Sequence, residues 1–185
     1  MARISLVPKE VFFTKGLGKH RTRLQSFELA LRQAGIAEGN LVRVSSILPP
    51  YCKIIPRSKG LEKLQPGEIT FLVRADASTD EPSRLVGAGI GLAQPPAGDA
   101  YGYISEHHAF GMIEQKLSDL VEDMAATMLA TTLGIEFDPE LAYDERKELY
   151  KMSGKIVRTR ACVQTAEGDK NGLWTTVIAG AVMLL

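Results

Sequence analysis

Apolar and polar positions alternate with changing period along this chain, and each change marks an element. Residues 3 to 8, RISLVP, read as a short strand, and FFTKGLGKHRTR after it reads as a loop rich in Gly and Lys. In RLQSFELALRQAG, Leu24, Phe27, Leu31 and Ala34 recur at helical spacing, with Thr22 placed to cap the start and Gly35 to end it. NLVRVSS is then a strand. Past two prolines, EITFLVRADAS and RLVGAGIGLAQ are β-rich runs separated by a polar TDEPS turn, and AYGYISEHHA is a third. From Met112 to Leu133, Met112, Ile113, Leu117, Leu120, Val121, Met124 and Met128 share one helical face, and Gly134 follows as a C-cap. The chain ends in KIVRTRACVQT and LWTTVIAGAVMLL, joined by AEGDKNG, whose Asn171-Gly172 pair suits a tight hairpin turn. The last segment is apolar enough for a central strand covered on both faces. Short strands in succession with two amphipathic helices predict an α/β fold: a layered sandwich of mixed or antiparallel sheets covered by helices.

At 185 residues, 45% hydrophobic and 24% charged, the chain has the size and composition of one globular domain spanning 1-185. The 22 basic and 22 acidic residues balance, which removes the broad positive field that phosphate-backbone binding needs, so no nucleic-acid partner is expected. Cys52 and Cys162 lack CxxC spacing and read as quiet buried thiols. No run approaches the ~18 apolar residues of a membrane span, and no signal-peptide pattern opens the chain, so a cytoplasmic protein without a membrane partner is expected.

Several motifs lose their force on inspection. VGAGIGLA places glycines at 87, 89 and 91 but Leu at 92, where a dinucleotide fingerprint needs Gly, and no helix pattern follows to receive a pyrophosphate. Its glycines read instead as permission for close packing on a strand. Glu106, His107 and His108 have metal-ligand chemistry, yet consecutive strand residues face opposite ways and no further His pair supports them, so no metal is expected. Lys15, Lys19, His20, Arg21 and Arg23 read as a solvated basic loop.

The stretch VRVSSILPPY carries a different chemistry. A serine hydroxyl one residue after a peptide carbonyl can attack it through a five-membered ring, turning amide into ester. If Ser46 attacks the carbonyl of Ser45, elimination leaves Ser45 as a free carboxylate and residue 46 as dehydroalanine, which hydrolyses to a pyruvoyl group. Unassisted amides resist this, so the fold would have to strain the bond and polarise the carbonyl. Pro49 and Pro50 restrict the exit path. Taken by itself, SSILPP equally describes a strand ending in a serine turn.

NLVRVSSILPP, preceded by SFELALRQAGI and followed by YISEHHAFG and EGDKNGLWTT, resembles the pyruvoyl-dependent arginine decarboxylases over essentially the whole chain. The resemblance implies self-cleavage into residues 1-45 (a β chain) and 46-185 (an α chain), with a covalent pyruvoyl group derived from Ser46. It also implies a layered α/β sandwich that assembles as trimers or pairs of trimers, and an amino-acid substrate bound to the ketone as a Schiff base before carbon dioxide leaves. Residue by residue, Ser45 becomes the new C-terminus, Asn40 assists at the cleavage and reaction site, and Glu106 donates the proton. Glu28 stands where the family carries a guanidinium-binding aspartate. Its extra methylene departs from the family pattern, so another basic amino acid is an alternative substrate to L-arginine, and Arg32, four residues on, offers a plain ion pair as an alternative role. An uncleaved binding or assembly protein is the alternative of a different class.

Overall fold

A computed structural model describes residues 6–96, 98–136, 138, 141, 143–152 and 158–185. Nine strands form two sheets among these residues. A five-stranded mixed sheet has the order β2 (Asn40–Arg43), β5 (Ile69–Thr79), β9 (Trp174–Leu184), β1 (Glu10–His20), β4 (Lys53–Ile54), and a four-stranded antiparallel sheet has the order β3 (Ile47–Leu48), β7 (Gly102–Phe110), β6 (Leu85–Gln94), β8 (Arg158–Glu167). Pairing of β2 with β5 and of β1 with β4 is parallel; β9 runs antiparallel to both its neighbours. Helices α1 (Arg23–Ala34) and α2 (Arg57–Leu61) cover the larger sheet, while α3 (Glu114–Thr132) covers the smaller one and carries α4 (Tyr143–Met152). The result is an α–β–β–α sandwich, the layered α/β architecture expected.

Strand alternation sorts the core into layers. Val73, Ala75, Ala77, Val177, Ala179 and Ala181 meet Val86, Ala88, Ile90 and Leu92 between the sheets. The opposite faces of the larger sheet give Phe12, Leu72, Ile178 and Val182 to α1. β9 is buried along nearly its whole length at the centre of its sheet, as its apolar run requires.

Several expectations change for identifiable reasons. The glycine-rich segment after residue 10 is not a loop but the eleven-residue strand β1. Gly16 and Gly18 face α1 so closely that a Cβ would lie 2.0 Å from the carbonyl oxygens of Ala30 and Ser26, so these glycines mark helix–strand contact rather than a turn. Lys15, Lys19 and His20 are therefore strand residues; Lys15 donates to the Val163 carbonyl and Lys19 pairs with Asp169. The same contact explains why Leu24 is 77% exposed: the buried face of α1 is Ser26, Ala30 and Ala34, small residues that fit against glycines. Thr22 does cap α1 by accepting from the Gln25 N–H, and Gly35 (φ 78°) ends it.

Of the strand expected over residues 3 to 8, residues 6–8 carry none and the remainder lies outside the described residues, as do residues 155–157 of KIVRTRACVQT. β8 and β9 do not form a hairpin. They belong to different sheets, and the turn around Gly172 (φ 73°) carries the chain from one sheet to the other. The helices α2 and α4 escaped the pattern because each is short, and α4 is mostly polar. The glycines of β6 pack as expected: a Cβ on Gly91 would lie 1.9 Å from the Val121 carbonyl oxygen of α3.

Candidate active site

Ser45 and Ser46 stand where the chain leaves one sheet for the other. β2 ends at Arg43 in the five-stranded sheet and β3 begins at Ile47 in the four-stranded sheet, so three residues make the crossing. Both banks are fixed. The Val44 N–H donates to Leu72 O (3.0 Å) on β5, and Ser46 O accepts from the Ile104 N–H (2.7 Å) on β7. Between these anchors the Ile47 N–H donates to Ser45 O (3.0 Å), closing a three-residue γ-turn around Ser46. The carbonyl that Ser46 would attack thus carries a donor suited to a developing oxyanion. Apolar side chains of Val44, Ile47, Pro49, Phe71 and Met183 line a cleft of about 260 Å³ beside Ser45.

Neither serine has positive φ. A left-handed non-glycine residue stands nearby at Tyr51 (φ 60°), just past the prolines, tethered by its N–H to Gly98 O (2.6 Å). The double proline therefore stiffens the downstream bank, and the turn at Ser46 arises from the change of sheet.

Glu106 stands on β7 two residues beyond Ile104, so the hydrogen bond that fixes Ser46 also fixes the strand carrying Glu106. Its carboxylate meets Arg43 Nη2 at 3.3 Å, and the same nitrogen donates to Arg74 O at 2.8 Å. Arg43, Arg74, Asp76, Glu106, His107 and His108 line a cleft of about 370 Å³. Strand alternation does not keep Glu106 and the two histidines apart at this mouth, and the imidazole planes lie 16° from parallel with centroids 6.0 Å apart. No group of three potential metal ligands occurs among the described residues.

Asn40 and Glu28 lie elsewhere in the chain. Asn40 opens β2, five residues before Ser45 and roughly 16 Å away along an extended strand. Its Nδ2 donates to Gly67 O at 2.7 Å, which ties the turn before β5. Glu28 accepts from Arg32 Nε across one turn of α1, and both line a cleft with Gly35, Ala37 and Glu38. That hydrogen bond and the carboxylate charge hold the Arg32 guanidinium above its ordinary pKa. Ser45, Glu106 and Glu28 thus line three different clefts, and Ser46 is linked to the strand of Glu106 through the Ile104 N–H.

The sequence profile described as pyruvoyl-dependent arginine decarboxylase matches residues 10–185. A protein of Chloroherpeton thalassium named probable pyruvoyl-dependent arginine decarboxylase is 58% identical over 181 residues, covering 98% of this chain and 100% of the relative. One from Methanosarcina mazei named pyruvoyl-dependent arginine decarboxylase 2 is 55% identical over 179 residues, covering 97% and 98%. This chain belongs to the pyruvoyl-dependent arginine decarboxylase family.

Membership in that family implies a covalent pyruvoyl group, and the residues present fit its formation. A hydroxyl-bearing residue directly follows a carbonyl that already accepts an N–H, at a turn anchored on both sides. Reasoning from side chains missed the two donors that make this geometry, because the N–H groups of Ile47 and Ile104 leave no mark in residue identity. It also passed over Arg43, although a charged residue inside the short strand NLVR was a visible signal.

Proposed function

We propose that this chain is the precursor of a self-processing enzyme that decarboxylates L-arginine to agmatine and carbon dioxide. The observation that carries the reading is the Ser45–Ser46 link itself, held at the crossing between sheets with the Ile47 N–H on its carbonyl oxygen. Ser46 Oγ adds to the Ser45 carbonyl carbon and its proton passes to the departing amide nitrogen, so an ester replaces the amide. Loss of the α-proton of residue 46 then breaks the Cβ–O bond, releasing residues 1–45 with a terminal carboxylate. Water converts the resulting dehydroalanine to the ketone and ammonia leaves.

The mature group supplies an electron sink for loss of the substrate carboxylate; the protein supplies position and a proton. Glu106 delivers that proton to the α-carbon. Glu28 takes the substrate guanidinium in place of Arg32, and Asn40 turns its amide toward the reacting centre. Glu28 and Ser45 line different clefts of one chain, which supports a site completed by a neighbouring copy in a trimer or a pair of trimers. Two free thiols fit a reducing cytoplasm. Among the described residues no helix is long and apolar enough to cross a membrane.

Mass spectrometry of the purified protein tests the processing: two fragments parting after Ser45, the larger capped by a ketone, are expected, and a chain that stays intact under all conditions refutes it. Carbon dioxide release compared across arginine, ornithine, lysine and histidine tests the substrate. The methylene added by Glu28 favours a second reading, the same chemistry on another basic amino acid, and release from one of these without release from arginine would select it.

A further inference from the structure

Glu106 is placed by another side chain. Arg43 Nη2 shares its protons between the backbone carbonyl of Arg74 on β5 (2.8 Å) and the Glu106 carboxylate on β7 (3.3 Å), so one guanidinium ties the two sheets at the mouth of the cleft. A backbone acceptor within a paired strand is a fixed post, since Arg74 lies in the β5–β9 ladder. The guanidinium plane hung on it dictates where the carboxylate sits. The ion pair is a poor device for stability, with Arg43 53% and Glu106 39% exposed, because pairs so open to water contribute little to folding. Orientation is what remains.

Among the described residues lining the cleft, Arg43 is the cation whose donor reaches Glu106. The other guanidinium of the cleft, Arg74, is engaged through Nε with Asp76 Oδ1 (3.1 Å) and lies over the Phe27 ring, 4.7 Å from its centroid. The remaining titratable neighbours lining the cleft, His107 and His108, flank Glu106 on its own strand and stack on each other. Arg43 also precedes the cleavage point by two residues, so its backbone belongs to the smaller fragment and its charge acts on a carboxylate of the larger one.

We infer that Arg43 is a positioning residue for decarboxylation: anchored on Arg74 O, it holds the Glu106 carboxyl in line with the carbon that receives the proton. The inference rests on the decarboxylase reading and gives Glu106 its aim. Arg43 itself need not touch substrate. A carboxyl displaced by about 1 Å from its line costs on the order of 100-fold in rate, and a shorter, non-planar cation restores part of the aim.

The test uses fully processed enzyme in which fragment masses, arginine KM and kcat are measured for wild type, Arg43→Met, Arg43→Lys, Glu106→Gln and the Arg43→Met/Glu106→Gln pair. Single-turnover release of labelled carbon dioxide reads the slow variants. Expected are complete cleavage in all, a roughly 10- to 100-fold fall in kcat for Arg43→Met with KM within about twofold, and an intermediate kcat for Arg43→Lys. In the Glu106→Gln background, Arg43→Met should add less than about twofold, since its effect passes through a carboxylate already removed. An unchanged kcat, a full additional loss in that background, or a rise in KM with kcat intact, which would place Arg43 on the substrate carboxylate, each overturns the positioning role. Wild-type protein without a ketone-capped fragment or without release from arginine overturns the decarboxylase reading, and this role with it.

Discussion

Cleavage at Ser45 would leave a 45-residue fragment attached only by strand pairing and packing, and Phe12 tests the packing. Phe12 is fully buried, clustered with Leu72, Ile178 and Val182 of the larger fragment and with Ala30, Ala34 and Ile36 of its own. Gly60 presses on the ring so closely that a Cβ there would lie 2.1 Å from Cδ1. The ring sits between α1 and the middle of a sheet whose β1 and β9 are paired over eleven residues, so the site has little freedom to collapse around a smaller side chain. Replacing a buried Phe by Ala under such conditions costs about 3–5 kcal/mol. With a urea dependence of about 2 kcal/mol per molar, the concentration that separates the fragments falls by roughly 1.5–2.5 M in Phe12→Ala. Cleaved protein is incubated across a urea series and passed over a sizing column, and the small fragment is followed by mass. Wild-type fragments should co-elute in buffer. A midpoint for Phe12→Ala within a few tenths molar of wild type would refute the claim that β1 packing holds the two pieces together.

Other consequences follow from the same contacts. Gly91→Ala drives a methyl group into the Val121 backbone of α3, at 1.9 Å from the oxygen and 2.3 Å from the carbon, so Tm should drop by about 4–12 °C in calorimetry for a cost of ~2–3 kcal/mol. Glu28→Ala should raise KM for arginine with Tm almost unchanged, because the Arg32 pair is exposed; an unaltered KM would leave Glu28 only its ion pair. Burial pushes the Cys52 and Cys162 thiols up to about 11, so at pH 8 both remain protonated and alkylation should be slow until denaturant is added; prompt labelling of folded protein would contradict that environment.

The elements legible in sequence were those whose burial comes from large side chains. β9 announced itself by a continuous apolar run; α3 was found by its apolar repeat, yet of the seven residues read onto its face only Leu117 and Val121 are buried, and Ala125, Ala126, Leu129 and Ala130 complete the side that packs. β1 was hidden because its packing face includes Gly16 and Gly18, residues selected for what they lack. α1 was found, but its inward face was misjudged for the matching reason: Ala30 and Ala34 answer those glycines, and Leu24 is left in water. The false hairpin before β9 has another cause. A turn motif specifies a local reversal and not the sheet that receives the next strand, and Asp169, by accepting from the Asn171 N–H and pairing with Lys19, fixes the turn on β1's sheet rather than on β8.

The serine pair reverses this relation between sequence and structure. Its residue types suggested the reaction, but the features that would make one peptide bond reactive are positional: a crossing of three residues, an anchor on each sheet, and the next N–H on the carbonyl. A serine pair inside a paired strand would have its carbonyl committed to a neighbouring strand and its hydroxyl held to one side of the pleat. At the crossing, Ser45 O has no ladder partner, so the Ile47 N–H can occupy it. The larger sheet holds the acyl side through Val44, and the smaller sheet holds the nucleophile side through Ser46 O. Separation after a cut would be opposed by β1, which is paired with β9 within its own sheet, and the ends would stay in place for the chemistry that follows. The break between sheets and the persistence of both sheets are thus two consequences of one topology.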